Sequence, residues 1–414
     1  MARNVFLGGA TAVAQVDTFT PANVQIGDVF TLTATAEDGS TTVAISFTAT
    51  AATVANVTAG LTAAWNASTN ALCTPITAAD QTTSMKLTAD TAGQPFYVSS
   101  STTDGGGANT QTLSRAATTA NAGPYDWNTA ANWLTGAVPT TGDHVYIDGR
   151  AANKIIYGLD QDAVTLASLH IGQGMIYEIG TLTYPLRVGA TLLFIGEPAE
   201  DGSTAAGSAL VNLNLSSIQS TIHGYATRNT GTSGYPPVQI AGTHASNTAT
   251  LKDGFYGFGT STPHESYTMD VNVTGRAKVV LGTGGTVATV NVSKMGGEVL
   301  LKCAATTINQ DAGKLVTEGT GAITTLKAGG EAVLNSTGTI TNLYAEGSGV
   351  AKFTESAAAR TVTNAFIVGP NAQILADNGK ALSVTFTNGI DFLNGAKTKQ
   401  LDIGDSLTLT PSAL

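Results

Sequence analysis

Residues 286–302, TVATVNVSKMGGEVLLK, begin a repeat that decides the fold of this chain. It continues in ATTINQDAGKLVTEG (305–319), GAITTLKAGGEAVLNS (321–336) and GTITNLYAEGSGVAKFT (338–354). Each stretch has a Thr-rich strand ending on an apolar residue, a Gly-centred corner and a second short apolar strand. The first strands end at Val290, Ile308, Leu326 and Leu343. A period of about 17 residues is too short for a propeller blade or a helical repeat and predicts a β-solenoid, whose coils pair in parallel around Val, Ile and Leu.

The solenoid is predicted to span residues 151–414. Its coils broaden after Arg360. Before the repeat, Gly-, Pro- and Ser-rich stretches at about 196–268 are expected to be long loops inserted at one flank. Asn309, Asn335 and Asn342 lie near the corners, where they would either stack on one another or face solvent, and we expect most of them to face solvent.

Residues 21–110 predict a small α+β module with the order β-β-α-β-β. Apolar and polar residues alternate on both sides of Asp38-Gly39, which is a hairpin signal. Val54, Val57, Leu61 and Trp65 then follow a helical spacing behind Thr53, whose side chain suits an N-cap. We therefore expect Trp65 in the core. Residues 1–20 are predicted to form an arm that either adds a strand to a neighbouring protein or is disordered.

The composition indicates a mainly β protein that does not bind nucleic acid. Gly is abundant (47 residues) and supplies turns, whereas the frequent Thr and Val suit pleated strands. Only 12% of the residues are charged and the net charge is −10, so the 19 Lys and Arg form no basic stripe for phosphates. Cys73 and Cys303 lack a partner motif and are expected to be buried thiols. Without a membrane-spanning run or an apolar signal segment, synthesis and folding in a cytoplasm are expected.

Residues 126–149, DWNTAANWLTGAVPTTGDHVYIDG, contain two of the three tryptophans, Trp127 and Trp133. Exposed indoles would suit a sugar platform, whereas buried indoles would supply a large apolar area that closes an open sheet end. Because the pair directly precedes the first predicted solenoid strand, we predict that it is a structural cap. It would lie in a linker that spans residues 111–150.

Two groups of residues are predicted to contact other proteins. Phe6 and Leu7 lie in the arm, and Phe255, Tyr256 and Phe258 lie in GFYGFGTSTPHESY (254–267). Exposed aromatic side chains are enriched in subunit interfaces. The alternative for the second group is a small satellite core under the loop.

Hydrolysis of a polysaccharide would need two carboxylates that converge on a groove. The candidate acids are Asp143, Asp148, Glu197, Glu200 and Asp201. Their spacing forces no pair together, so we expect a turn-capping role for Asp143 and solvated loop acids. Glu197, Glu200 and Asp201 lie close together in sequence, which leaves open a cation site with oxygen ligands. The five histidines lack the spacing that is typical of metal sites. We predict no catalytic residue, no metal and no cofactor.

Residues 27–101, which include GDVFTLT, VAISFTAT, TVANVTAGLTAAWNAS and MKLTADTAGQPFYVSS, resemble small modules that recur in virion proteins of tailed bacteriophages. WNTAANWLTGAVPTTGDHVYI (127–147) is similar to a signature that introduces β-solenoid regions in phage and planctomycete proteins. The chain thus resembles a head-decoration (cement) protein. This resemblance implies a place on the capsid surface, a homotrimer, and the major capsid protein or neighbouring virion proteins as partners. It brings no catalytic residues.

Together these observations predict a non-enzymatic structural protein that stabilises a phage head through many uncharged contacts. The alternative is a tail fibre or tailspike that binds or cleaves host surface polysaccharide. That alternative predicts paired carboxylates in a groove and an exposed row of aromatic side chains. A third hypothesis, a cell-surface adhesin, would require a secretion signal.

Overall fold

The computed structural model describes residues 3–37, 39–106, 110–181, 183–197, 210–225, 236–259, 267–293, 296–376, 384–388, 390–393 and 401–402. This part of the chain is mainly β and holds one α-helix, which is too short to cross a membrane. The chain divides into two compact units. We call residues 6–138 and 151–160 the module, and residues 1–5, 139–150 and 161–414 the sheet unit.

The first elements are β1 (Arg3–Val5), β2 (Val16–Ala22), β3 (Val29–Thr35), β4 (Thr42–Thr48), α1 (Val54–Asn66), β5 (Ile76–Asp80), β6 (Met85–Ala89), β7 (Tyr97–Thr103), β8 (Thr112–Thr119) and a short 3-10 helix (Ala130–Asn132). All except β1 belong to the module. Antiparallel strands form two sheets, ordered β5-β6-β2-β8 and β4-β3-β7.

Helix α1 confirms the predicted helical pattern. The Thr53 side chain accepts a hydrogen bond from the Asn56 backbone N–H and caps the first turn. Val57, Leu61 and Trp65 are buried, and Trp65 Nε1 donates to the Ile76 carbonyl at 3.0 Å. The predicted hairpin is also present, because β3 and β4 pair from Val29 opposite Thr48 to Thr35 opposite Thr42.

The module is larger than predicted. Strand β2 pairs with both β6 and β8. β2 begins at Val16, within the predicted arm, and β8 begins at Thr112, within the predicted linker. The sequence pattern obscured β2 because a charged residue, Asp17, occupies one of its inward positions and is fully buried. Arg115 of β8 neutralises this carboxylate, with Nε 2.8 Å and Nη2 2.7 Å from Asp17 Oδ2.

The sheet unit consists of β1 together with β9 (His144–Ile147), β10 (Asp160–Gly172), β11 (Leu186–Glu197), β12 (Val211–Asn214), β13 (Thr221–Gly224), β14 (Val238–Leu251), β15 (Phe255–Phe258), β16 (Tyr267–Val273), β17 (Lys278–Leu281), β18 (Gly285–Val292), β19 (Glu298–Leu301), β20 (Ala304–Gln310), β21 (Lys314–Thr317), β22 (Ile323–Ala328), β23 (Glu331–Leu334), β24 (Ile340–Glu346), β25 (Val350–Lys352), β26 (Arg360–Val368), β27 (Gln373–Leu375), β28 (Val384–Phe386), β29 (Ile390–Leu393) and β30 (Leu401–Asp402).

Parallel pairing in this large sheet follows a simple rule. From β14 to β25 each strand pairs with the strand two positions later in the chain, so longer and shorter strands form separate ladders. Val290, Ile308, Leu326 and Leu343 lie opposite one another in successive rungs, as the repeat predicted. All four side chains are fully buried and form part of the apolar core of the unit.

Candidate functional site

The two tryptophans of the 126–149 stretch lie inside the module. Trp127 is 0% and Trp133 2% exposed, and their rings meet edge to face with centroids 4.7 Å apart. Trp133 Nε1 donates to the Trp127 carbonyl at 2.8 Å, and Phe6 contacts Trp133 edge to face at 5.2 Å. Neither indole offers an open face to a sugar. That the pair closes the end of a solenoid stays a prediction.

Asn132, between the two indoles in sequence, holds this aromatic cluster to its surroundings. It is fully buried, and its Nδ2 donates to the carbonyls of Gly123 and Asp126 at 2.7 and 2.8 Å. Its Oδ1 accepts from the Ala10 backbone N–H at 3.0 Å. A single amide side chain thereby joins the N-terminal segment to the tryptophan segment within the module.

The residues predicted to contact other proteins are mostly interior. Phe6 is fully buried against Trp133, and Leu7 is half-buried with its backbone N–H donating to the Asn132 carbonyl. Tyr256 and Phe258 of β15 are fully buried, and Phe255 is half-buried. The burial of Phe6, Tyr256 and Phe258 corrects the prediction that these rings are exposed for contact with other proteins. The alternative of a satellite core under the loop stays a prediction, because residues 260–266 of that loop lie outside the described residues.

The acids considered for catalysis have local structural contacts. Asp143 Oδ2 accepts from the Thr140 backbone N–H and hydroxyl, which is the turn-capping role predicted for it. Asp148 is buried and binds Arg150; burial alone would raise its pKa, but the hydrogen bonds and charge of Arg150 lower it overall. Glu200 and Asp201 lie outside the described residues, as does the side chain of Glu197.

A groove of about 500 Å³ lies in the module. Its lining includes Glu37, Tyr97, Arg115, Asn128 and Asp160. Glu37 Oε1 accepts the Leu159 backbone N–H at 3.2 Å, which fixes one carboxylate at the rim. No sequence pattern predicted this groove, because nothing in the sequence signals that residues 151–160 pack with residues from β3 and β7.

Negative charge dominates this groove. Burial is the main cause that raises the pKa of the Tyr97 hydroxyl, and the carboxylates of Glu37, Asp126 and Asp160 raise it further. Burial also raises the pKa of Asp126, partly offset by hydrogen bonds from Asn128 and Asn121. Arg115 is held by Asp17, so it does not cancel the field of the remaining carboxylates. The groove suits a neutral polar or cationic group better than an anion.

The sheet unit carries an outward-facing column of planar side chains. Tyr146 stacks on His170 at 4.3 Å, His170 on Phe194 at 4.6 Å, and Phe194 on His223 at 5.1 Å. The rings lie within 14° of parallel and are half-buried. At one end Arg3 lies over the Tyr146 ring at 4.6 Å. Because ring faces cover one another, this row leaves mainly ring edges to solvent and is a poor platform for sugars.

Ser168 links His170 of this column to a second histidine, His144. Its hydroxyl lies 2.7 Å from His144 Nδ1 and 2.8 Å from His170 Nε2. One hydroxyl hydrogen can be donated to only one of these nitrogens, so the other imidazole donates its own N–H to the Ser168 oxygen. The serine is 1% exposed. This arrangement fixes the two rings and leaves the hydroxyl inaccessible to a substrate.

The same register column continues with stacked amides. Asn291 Nδ2 donates to Asn272 Oδ1 at 2.6 Å, and Asn309 Nδ2 donates to Asn291 Oδ1 at 2.9 Å. A neighbouring stack joins Asn342 to Asn364 at 2.8 Å. Asn309 and Asn342 are half-buried on the outward side of their strands, and their amides also stack on those of neighbouring rungs. The in-register rungs place each amide one strand spacing from the next, within hydrogen-bonding reach.

Charged residues alternate along the ladder of shorter strands. Lys278, Glu298, Lys314 and Glu331 lie opposite one another in successive rungs. Lys278 Nζ lies 3.4 Å from Glu298 Oε2, and Lys352 Nζ lies 2.7 Å from Glu331 Oε1. We call the four aligned residues the charge column. Its alternation favours this register, because a slip that brought like charges together would be repelled.

Among the described residues, no cluster of three or more His, Cys, Asp or Glu is placed to hold a metal. Cys73 and Cys303 are both buried, as predicted. Comparison of the chain with protein-family models, with curated proteins and with solved structures found no match.

Proposed function

We propose that the sheet unit is a β-solenoid and that the protein is a non-enzymatic structural component of a tailed-phage virion. The solenoid proposal rests on the strands from β14 to β25, each of which pairs with the second strand after it, as in two parallel ladders stacked coil on coil. The virion proposal rests on the resemblance of residues 27–101 to modules of phage virion proteins, together with the resemblance of residues 127–147 to a signature that introduces β-solenoid regions in phage and planctomycete proteins.

The outward column is the observation that supports a mechanical role most directly. Histidine, tyrosine and asparagine side chains, which could otherwise form a reactive or binding site, are bound to one another from rung to rung. Such contacts between neighbouring strands make a sheet more rigid and leave no reactive group accessible. The sparse charge of the chain fits an assembled surface, where each desolvated ion would cost free energy.

Within a virion we propose the role of a head-decoration (cement) protein. Three copies would bind at each three-fold position of the head and contact the major capsid protein or its neighbours, stabilising the shell by binding only its assembled form. The decisive experiment mixes the purified chain with mature, undecorated capsids of the phage that encodes it and measures cosedimentation. Binding to heads supports the proposal. Absence of binding to heads, with antibody labelling of the tail instead, contradicts it.

The groove of the module favours a second candidate function, glycan binding by a tail fibre or tailspike protein. Glu37 and Asp160 line one groove with the half-exposed Tyr97 ring, which would suit sugar hydroxyls and a sugar face. The test compares wild type with Glu37→Gln/Asp160→Asn for binding to host surface polysaccharide. Binding that the double variant loses supports this function, and absence of binding by the wild type removes it.

A further inference from the structure

Strand β4 leaves one edge of a module sheet open. In the described chain β4 pairs only with β3, in the order β4-β3-β7. The opposite edge of this sheet is covered, because the hydroxyls of Ser100 and Thr102 in β7 donate to the backbone carbonyls of Leu113 and Gln111. An open edge presents unpaired backbone N–H and C=O groups to any chain that can add a strand.

β4 also lacks the devices that normally protect an edge. Its seven residues, TVAISFT, include no charge and no proline, and its pairing with β3 has no bulge. The other exposed edge strands of the module differ, since β5 carries Asp80 and β8 carries Arg115. The whole stretch 39–79, which contains β4 and α1, has no charged residue although the chain carries a net charge of −10.

The core-side residues of β4 are incompletely covered. Val43, Ile45 and Phe47 pack against the module core but are only half-buried, whereas their register partners on β3, Ala34, Leu32 and Phe30, are 0–1% exposed. The difference arises because no further strand lies beyond β4. One more strand with an apolar face would bury these three side chains.

We propose that β4 pairs with β4 of a second copy of this chain in an antiparallel, two-fold arrangement centred on Ile45. The sequence is self-complementary in that register: Val43 lies opposite Phe47 of the second copy, Ile45 opposite Ile45, and Ala44 opposite Ser46. Apolar residues thus meet on the core side, and the small residues Thr, Ala and Ser meet on the other. An uncharged strand is also the part of an acidic chain that a second copy approaches with least repulsion.

This contact goes beyond the virion proposal and does not depend on it, because it is tested with the isolated full chain. The test uses the exposed positions 44 and 46, which in the proposed register oppose each other across the two-fold axis. In Ala44→Lys/Ser46→Lys two Lys–Lys pairs form, and self-association measured by sedimentation equilibrium should weaken by about tenfold or more. The matched control Ala44→Lys/Ser46→Glu makes the same number of changes but pairs Lys with Glu, and it should retain association.

Equal association of the two variants, or a wild-type chain that remains monomeric at about 100 μM, would overturn the proposal. A second readout does not depend on those variants. Ile45→Cys places one thiol on the axis opposite its own copy, so mild oxidation should give a covalent dimer. Thr48→Cys, which lies opposite Thr42 of the second copy, should not cross-link. Equal cross-linking of the two would likewise contradict the proposed register.

Discussion

The indole of Trp133 makes several contacts that stabilise the module. It contacts Trp127 and Phe6 and donates a hydrogen bond, all from a position that is 2% exposed. Trp133→Ala should therefore lower the free energy of unfolding of the module by about 3–5 kcal/mol through a cavity and an unsatisfied carbonyl. Thermal denaturation should show a melting temperature lower by roughly 10 °C.

Trp133→Phe is the matched control for this prediction. It keeps a ring against Trp127 and Phe6 but loses the N–H donor, so its effect should be about half as large. An unchanged melting temperature in Trp133→Ala would contradict the structural role of the indole.

Gly338 is needed for close approach of the backbone in the sheet unit. A Cβ atom at this position would lie 2.1 Å from the carbonyl oxygen of Gly321, and that oxygen belongs to the main chain and cannot rotate away. Gly338→Ala should therefore destabilise the unit by about 1–3 kcal/mol in urea unfolding. Thr339→Ala, an exposed neighbour, should change stability by less than about 0.5 kcal/mol. Equal effects of the two substitutions would show that the backbone can adjust.

At the scale of the element, we expect Glu331 of the charge column to make the stability of the fold depend on pH. A hydrogen bond from Lys352 is the main cause that lowers the pKa of Glu331, and the charges of Lys352 and Lys314 lower it further. A carboxyl with a lowered pKa in the folded state stabilises the fold above its ordinary pKa of about 4.3. That stability is lost as the pH falls through the lower, folded-state pKa.

Glu331→Gln measures this contribution. The Glu331 side chain is 43% exposed, so solvent screening limits the expected loss to less than about 1 kcal/mol near neutral pH. In urea unfolding the difference between wild type and variant should shrink below about pH 4 and vanish at lower pH. In a Lys352→Met background Glu331→Gln should have a smaller effect at neutral pH. A difference that does not vary with pH would mean that the ion pair contributes nothing.

The register of the repeat could be predicted from the sequence, whereas the ring column could not. The positions of Val290, Ile308, Leu326 and Leu343 predicted the register of four rungs, because a repeat fixes which residues face each other. The ring column was not predictable in this way. Tyr146, His170 and Phe194 follow at steps of 24 residues and His223 at a step of 29, so these rings do not share the period of about 17 residues that identified the repeat.

At the scale of the whole molecule, the least predictable feature was the division into units. Residues 1–5 and 139–150 belong to the sheet unit, whereas residues 6–138 and 151–160 belong to the module, so the chain alternates between them. The predicted boundaries at 20, 110 and 150 assumed that each unit is one continuous segment. Sequence patterns report local strand and helix periodicity and carry no signal for such long-range returns, which is also why the groove lined by Glu37 and Asp160 was missed.

The two units have separate apolar cores. The module is built around one apolar cluster that includes Phe19, Phe30 and Trp65, while the sheet unit has its own buried Val, Ile and Leu side chains. Units with independent cores unfold as independent cooperative transitions. Differential scanning calorimetry of the full chain should therefore resolve two transitions, with Trp133→Ala lowering one and Gly338→Ala lowering the other. A single transition that both substitutions shift together would mean that the two units unfold as one.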